Sequence, residues 1–132
     1  MATGFTRAKA SSILKSALNN AYVALSTTTP DQDGGNFTEP SSGNGYQRQN
    51  IGILDESISG QVSNKSIIFL FEATGNCGSV THVGLSDSGA RGTDVFLMAQ
   101  LTAPLSISAG YVPLIRAHGF VVGLDKDSLD PY

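Results

Sequence analysis

From residue 46 to residue 124 the apolar runs are strand-sized, and clusters of Gly, Pro, Asn and Asp separate them. That rhythm restricts the fold more than any other feature of the chain, because period and punctuation together set the secondary structure. Strand candidates fall at 46–54 (broken by Gly52), 61–62, 66–73, 80–85, 94–101, 105–108, 112–115 and 119–124. The strongest is 66–73, whose centre Ile67-Ile68-Phe69-Leu70-Phe71 is continuously apolar, as in a strand covered on both faces. Turns are marked by Asn76-Cys77-Gly78 and Asp87-Ser88-Gly89, and Pro104 and Gly110 bracket another turn region. Seven to eight short antiparallel strands at such intervals predict a mainly β fold, a jelly-roll-like sandwich or barrel.

The N-terminal part reads differently. Phe5, Ile13, Leu14, Ala17, Leu18 and Ala21 recur at three- and four-residue spacings and predict one helix over 5–20. Thr3 or Thr6 is placed to cap its start, and Asn19-Asn20 to end it. Tyr22-Val23-Ala24-Leu25-Ser26 then alternates as a first strand. Residues 27–45 hold Pro30, Pro40 and four glycines among Asp, Asn, Ser and Thr, and predict a long loop. Loops of that length usually carry function or an interface. With 132 residues the expected organisation is a single domain over 1–132, its β core at 46–124.

Charge bears on partners. Only 14% of residues are charged, against about a quarter in an ordinary domain. A polar, weakly charged surface suits contact with neighbours, since few charges need desolvating. The net charge of −3 argues against a nucleic-acid partner, for which a basic excess is expected. The distribution is uneven. Arg7, Lys9 and Lys15 precede the first acid, Asp31, while Asp125, Asp127 and Asp130 crowd the other end. No run approaches the ~20 apolar residues of a membrane span, so no membrane partner is expected. Residues 1–16 lack the continuous apolar stretch of a signal peptide, which makes cytoplasmic synthesis the expectation and chance matches of the sequons at Asn36 and Asn64.

Chemistry is sparse. His82 and His118, with the serines and aspartates, permit a hydrolase triad on paper, yet no nucleophile-elbow pattern supports one. The chain is expected not to be an enzyme, and no cofactor is expected. Asp31, Asp33 and Glu39 loosely suggest a cation loop, but the spacing is wrong for an EF-hand, and an Asx-type turn is the simpler reading; no metal site is assigned. The glycine clusters lack the Lys-Ser/Thr of a phosphate loop. Cys77 is the single cysteine, so no internal disulfide exists. Its turn setting predicts an exposed thiol, a candidate for pairing between copies.

The order of segments carries a resemblance. Tyr22-Val23-Ala24-Leu25-Ser26-Thr27 follows the helix. Then come Asn36-Phe37-Thr38-Glu39-Pro40, Gly43-Asn44-Gly45-Tyr46-Gln47-Arg48 and Val80-Thr81-His82-Val83-Gly84-Leu85-Ser86-Asp87. Taken in order over residues 8–125, these resemble a family of small tailed-bacteriophage virion proteins labelled tail-fibre or head-fibre proteins. The resemblance implies a virion structural protein without catalytic residues. Capsid decoration is the first expectation: a cement or head-fibre protein bound to the major capsid protein or other virion proteins. A small tail-fibre or receptor-binding module contacting host glycans is the alternative, weakened by the absence of Trp. Homo-oligomerisation, as a trimer, would cover strand edges. Arg7, Lys9, Lys15, Phe37, Tyr46 and Arg48 are the candidate assembly contacts, and Cys77 the candidate intermolecular thiol.

Overall fold

A computed structural model describes residues 6–56 and 60–123. Phe5, Leu124 and the acidic Asp125, Asp127 and Asp130 lie outside the described residues, and with them the expected helix start at residue 5, the close of the last strand and the acidic cluster. Among the described residues there are one α-helix, α1 (Arg7–Leu18), a single 3-10 turn at Ser42–Asn44, and nine strands. The strands are β1 (Tyr22–Ser26), β2 (Gln49–Asn50), β3 (Leu54–Asp55), β4 (Gln61–Asn64), β5 (Ile68–Phe69), β6 (Gly78–Ser86), β7 (Leu97–Ile107), β8 (Leu114–Ile115) and β9 (Val121–Gly123). They form antiparallel sheets in the orders β2-β1-β6-β7, β3-β4-β9 and β5-β8. The mainly β class with one N-terminal helix is as the sequence predicts. The described residues group into two compact units, interleaved along the chain.

The first unit holds α1 and the sheet β3-β4-β9. Thr6 caps α1, its hydroxyl accepting from the Lys9 N–H at 3.4 Å. The helix ends where Asn19 leaves helical backbone angles and Asn20 takes a φ of 61°. Its buried residues are Ala10, Ser11, Leu14 and Leu18, one face by helical spacing, and that face packs on β4. Ser11 is polar yet buried because its hydroxyl accepts from Gly60 N–H at 2.8 Å and reaches the Gln61 carbonyl at 3.4 Å. Asn64, fully buried in β4, fixes the approach to β9. Its amide donates to the Arg116 and Ser66 carbonyls at 2.7 and 2.9 Å, and its oxygen accepts from Phe120 N–H at 2.9 Å.

The second unit is built on the four-stranded sheet. β1 lies inside it, paired with β6 from Tyr22↔Ser86 to Ser26↔His82. Val23, Ala24 and Leu25 of β1 and Val80, Val83 and Leu85 of β6 are buried. Together these six side chains make the apolar centre of the sheet.

Two strand expectations need correction. The turn placed at Pro104 is absent, and 97–107 is one strand. β7 accommodates the proline through a register break. Val80 pairs with Leu105 but His82 pairs with Gln100, so residues 101–104 face a single residue of β6. A proline at such an irregularity on an edge strand forfeits no ladder bond. The long strand expected at 66–73 is paired only as β5, Ile68–Phe69. Beyond it, Leu70 N–H bonds the Pro113 carbonyl and Ala73 N–H the Tyr111 carbonyl, both at 2.9 Å, but Pro113 has no N–H to return. Its apolar run is not wholly buried either: Phe69 is 61% exposed.

Candidate functional site

The densest polar chemistry lies in the second unit, where the loop after β1 meets the segment 87–96. It begins with Glu39, buried beside Pro40. One oxygen, Oε1, accepts from the Tyr46 hydroxyl at 2.6 Å and from Arg48 Nε at 2.7 Å. The other, Oε2, accepts from Arg48 Nη2 at 3.1 Å and from the Gly92 N–H at 2.7 Å. This is a bidentate fork of guanidinium on carboxylate with two further donors. Arg48 spends its remaining protons on the Ser88 carbonyl (3.0 Å), the Thr93 hydroxyl (2.7 Å) and the Thr93 carbonyl (2.6 Å). Arg91 approaches from the other side, donating to the carbonyls of Pro40 at 2.7 Å and Glu39 at 2.8 Å. The Tyr46 hydroxyl also accepts from Leu25 N–H at 3.1 Å, and its ring meets Phe71 edge-on at 5.3 Å.

Local sequence explains why the loop arrives there. Ser26, fully buried at the end of β1, accepts with its hydroxyl from the N–H groups of Thr28 and Thr38, at 3.2 and 3.1 Å. It thereby draws the two ends of the 28–38 excursion together. Asp31 closes the tip as an Asx turn, one oxygen accepting from Asp33 N–H at 3.0 Å and Gly35 N–H at 2.8 Å. Phe37 follows, half-buried, its ring placed where a Cβ on Gly84 would lie 3.0 Å away. Any larger residue at 84 would displace that ring.

Electrostatics follow from this enclosure. Burial alone would raise the Glu39 carboxyl. The bonds from Arg48, Tyr46 and the Gly92 N–H outweigh it and hold the group below its ordinary value. The Tyr46 phenol is pushed well up, first by burial and then by its bond to the Glu39 carboxylate. No buried side-chain nitrogen or oxygen among the described residues lacks a partner. All the polar capacity of this cluster is turned inward, which suits a staple rather than a site for a small ligand.

The expected site residues separate accordingly. Tyr46 and Arg48 are not surface contacts: they are 3% and 6% exposed and bonded within their own unit. Arg7, Lys9 and Lys15 are exposed on α1. At about 100° per residue they are spread around the helix instead of forming one stripe. Lys15 borders an open polar depression with Ser12, Ser16, Asn19 and Glu56. Glu39 serves Arg48, so Asp31, Asp33 and Glu39 do not converge, and no cluster of three metal-capable side chains occurs among the described residues. Nothing local in the sequence ties Arg91 and Thr93 to a glutamate some fifty residues away.

Cys77 departs from its expected exposure. The residue is 6% exposed, its N–H bonded to the Ile107 carbonyl at 2.9 Å, and burial pushes the thiol up. Its reaction with an aromatic disulfide reagent is therefore expected to be slow in the folded protein and fast in denaturant. Equal rates in both conditions would show the thiol to be accessible.

The histidines complete the inventory. In the first unit Ser63, His118 and Asp55 lie together, but Ser63 Oγ at 2.9 Å and Asp55 Oδ2 at 3.8 Å approach the same ring nitrogen, Nδ1. A nucleophilic relay needs the serine and the carboxylate on opposite nitrogens. Here both contacts fall on one nitrogen, so the three groups do not form that relay. His82 Nδ1 lies 2.8 Å from the Thr81 hydroxyl, within β6.

A family model described as podophage GP4 fiber I protein gp80 matches residues 10–123, which include α1 from Ala10 and the whole Glu39–Arg48 cluster. The chain belongs to the podophage GP4 fiber I protein family. The family places it in the virion as a structural protein. No curated protein and no solved structure matches the chain. Within this fiber I protein the segment from Glu39 to Arg48, which carried the sequence resemblance, proves to be the staple described above. Its glutamate, tyrosine and arginine are the three groups that meet at the carboxylate.

Proposed function

We propose that this fiber I protein is a fibre subunit of a podophage virion, working through contacts with other virion proteins and copies of itself. The match over residues 10–123 carries the reading. Two features support it. The polar chemistry of the Glu39 cluster is consumed internally, and the chain has only 14% charged residues, so its surface is cheap to desolvate against a neighbour. The exposed side chains of α1, Arg7, Lys9 and Lys15, and the loop 27–45 are the contact elements it offers.

A second reading is capsid decoration, with the protein bound to the major capsid protein. The three exposed cations of α1 favour it, since an acidic capsid surface would attract them. Gold-labelled antibody against the protein, applied to intact particles, separates the two. Label confined to the tail region with tens of copies per particle supports the fibre; label over the whole head with hundreds supports decoration. Labelling of neither, with the protein absent from purified particles, overturns both.

A further inference from the structure

We propose that the outer edge of β7 is an assembly edge, occupied by β7 of a second copy running antiparallel about a two-fold axis. The inference deepens the proposed function, because it rests on that reading's self-association and locates it.

β7 is the longest strand, 11 residues, and it stands last in the order β2-β1-β6-β7. β6 takes one side of it. On the other, no bond from any other segment reaches residues 98–106 among the described residues. An open edge of this length offers a row of unpaired N–H and C=O groups, and proteins ordinarily guard such rows with charge, proline or a bulge. Pro104 and the register break over 101–104 fall in the C-terminal half, and Leu97 to Gln100 is in regular register with β6. The stretch Leu97-Met98-Ala99-Gln100-Leu101-Thr102-Ala103 has no charge and no proline, and its residues are exposed or half-exposed.

The occupant follows from length and charge. What satisfies a strand edge is another extended strand. The other strands at sheet edges among the described residues, β2, β3, β5, β8 and β9, are two or three residues long, so they satisfy little of this row. β7 matches it in length. Although the chain carries a net −3, an antiparallel pair of these strands sets no like charges together. Centred on Gln100, the pair sets Leu97 opposite Ala103, so that the regular 97–99 of each strand faces the irregular 101–103 of the other, and leaves Pro104 just beyond the ladder. A two-fold contact of this kind closes as a dimer. The trimer expected from the sequence would need a different surface.

The test uses the full chain, with light scattering and sedimentation velocity over a wide concentration range. The expected mass is twice 13.7 kDa. Gln100→Lys puts two ammonium groups face to face at the axis and is expected to raise the dissociation constant at least tenfold. Its circular dichroism should stay at the wild-type value, since position 100 is exposed, and its unfolding midpoint should match wild type at concentrations low enough for both to be monomeric. Gln100→Cys is expected to give a dimer band on a non-reducing gel that dithiothreitol removes, because facing Cβ atoms in such a pair lie close enough to bridge. A monomer at every concentration, a trimer, or a dimer that Gln100→Lys leaves intact would overturn the proposal. Gold labelling of particles reads the virion assignment separately. A protein that is found on particles yet is monomeric in solution loses only the β7 contact.

Discussion

Glu39→Gln is expected to lower the unfolding free energy by about 3–5 kcal/mol at neutral pH, the usual cost of removing one partner of a buried ion pair. The substitution keeps the side chain's shape and removes its charge. Arg48 then stands with its guanidinium fully enclosed and no counter-charge. The new amide also turns a donor toward groups that are donors already: Arg48, the Tyr46 hydroxyl and the Gly92 N–H. Replacing both members by apolar residues would cost much less than replacing one, so Glu39→Leu with Arg48→Met should fall between the single variant and wild type.

The same pair predicts a pH dependence. The Glu39 carboxyl is held below its ordinary value of 4.5 in the folded chain. A depressed carboxylate contributes stability that is present above the unfolded value and is lost as pH falls through the folded one. Glu39→Gln has nothing to protonate at that position. The stability gap between wild type and variant is therefore expected to be widest at neutral pH and to narrow in acid. Urea unfolding at pH 7 and at roughly pH 3 measures it. A gap of constant size would mean that the charge of Glu39 contributes little and that the misplaced amide donor explains the loss. At the other limit the raised Tyr46 phenol predicts a stability loss that begins only above the ordinary tyrosine value of 10.0.

This cluster also marks where the sequence stops being readable. The β class and the helix follow from periodicity and punctuation, which are local. Tyr46 and Arg48 look like contact residues, because an isolated arginine is usually a surface group. Their burial depends on Glu39, nine residues before Arg48, and on the carbonyl and hydroxyl of Thr93, 45 residues after it. That closure is a property of the folded topology. Pro104 is a related case: a proline reads as a turn until a sheet edge and a register break are known to receive it. Cys77 has turn-like neighbours, yet its backbone is bonded to Ile107 at the end of β7, thirty residues on, and that contact covers it.

Gly45→Ala is expected to be the most damaging glycine substitution in the second unit, and Gly110→Ala shows why. Both glycines have left-handed backbone, with φ of 88° and 91°. An alanine in that region costs about 1–2 kcal/mol wherever it stands. At Gly110 nothing lies within 4 Å of the added Cβ, so that strain is the whole cost. At Gly45 the Cβ would overlap the carbonyl oxygen of Glu72 and lie 3.2 Å from the Thr74 nitrogen. Both are backbone atoms, with no rotamer by which to move aside. Relief requires parting the 42–45 turn from 72–74, which breaks the bond from Thr74 N–H to the Asn44 carbonyl, 2.9 Å long. Leaving those groups unpaired adds a further ~1–3 kcal/mol. The displacement also begins one residue before Tyr46, whose hydroxyl must reach Glu39. Gly45→Ala should thus lose at least about 2 kcal/mol more than Gly110→Ala in matched urea titrations. It should also lose part of the acid dependence, because a shifted Tyr46 no longer holds the carboxylate. Equal losses for the two variants would show that the turn yields without cost, and that residues 42–45 do not set the position of the staple.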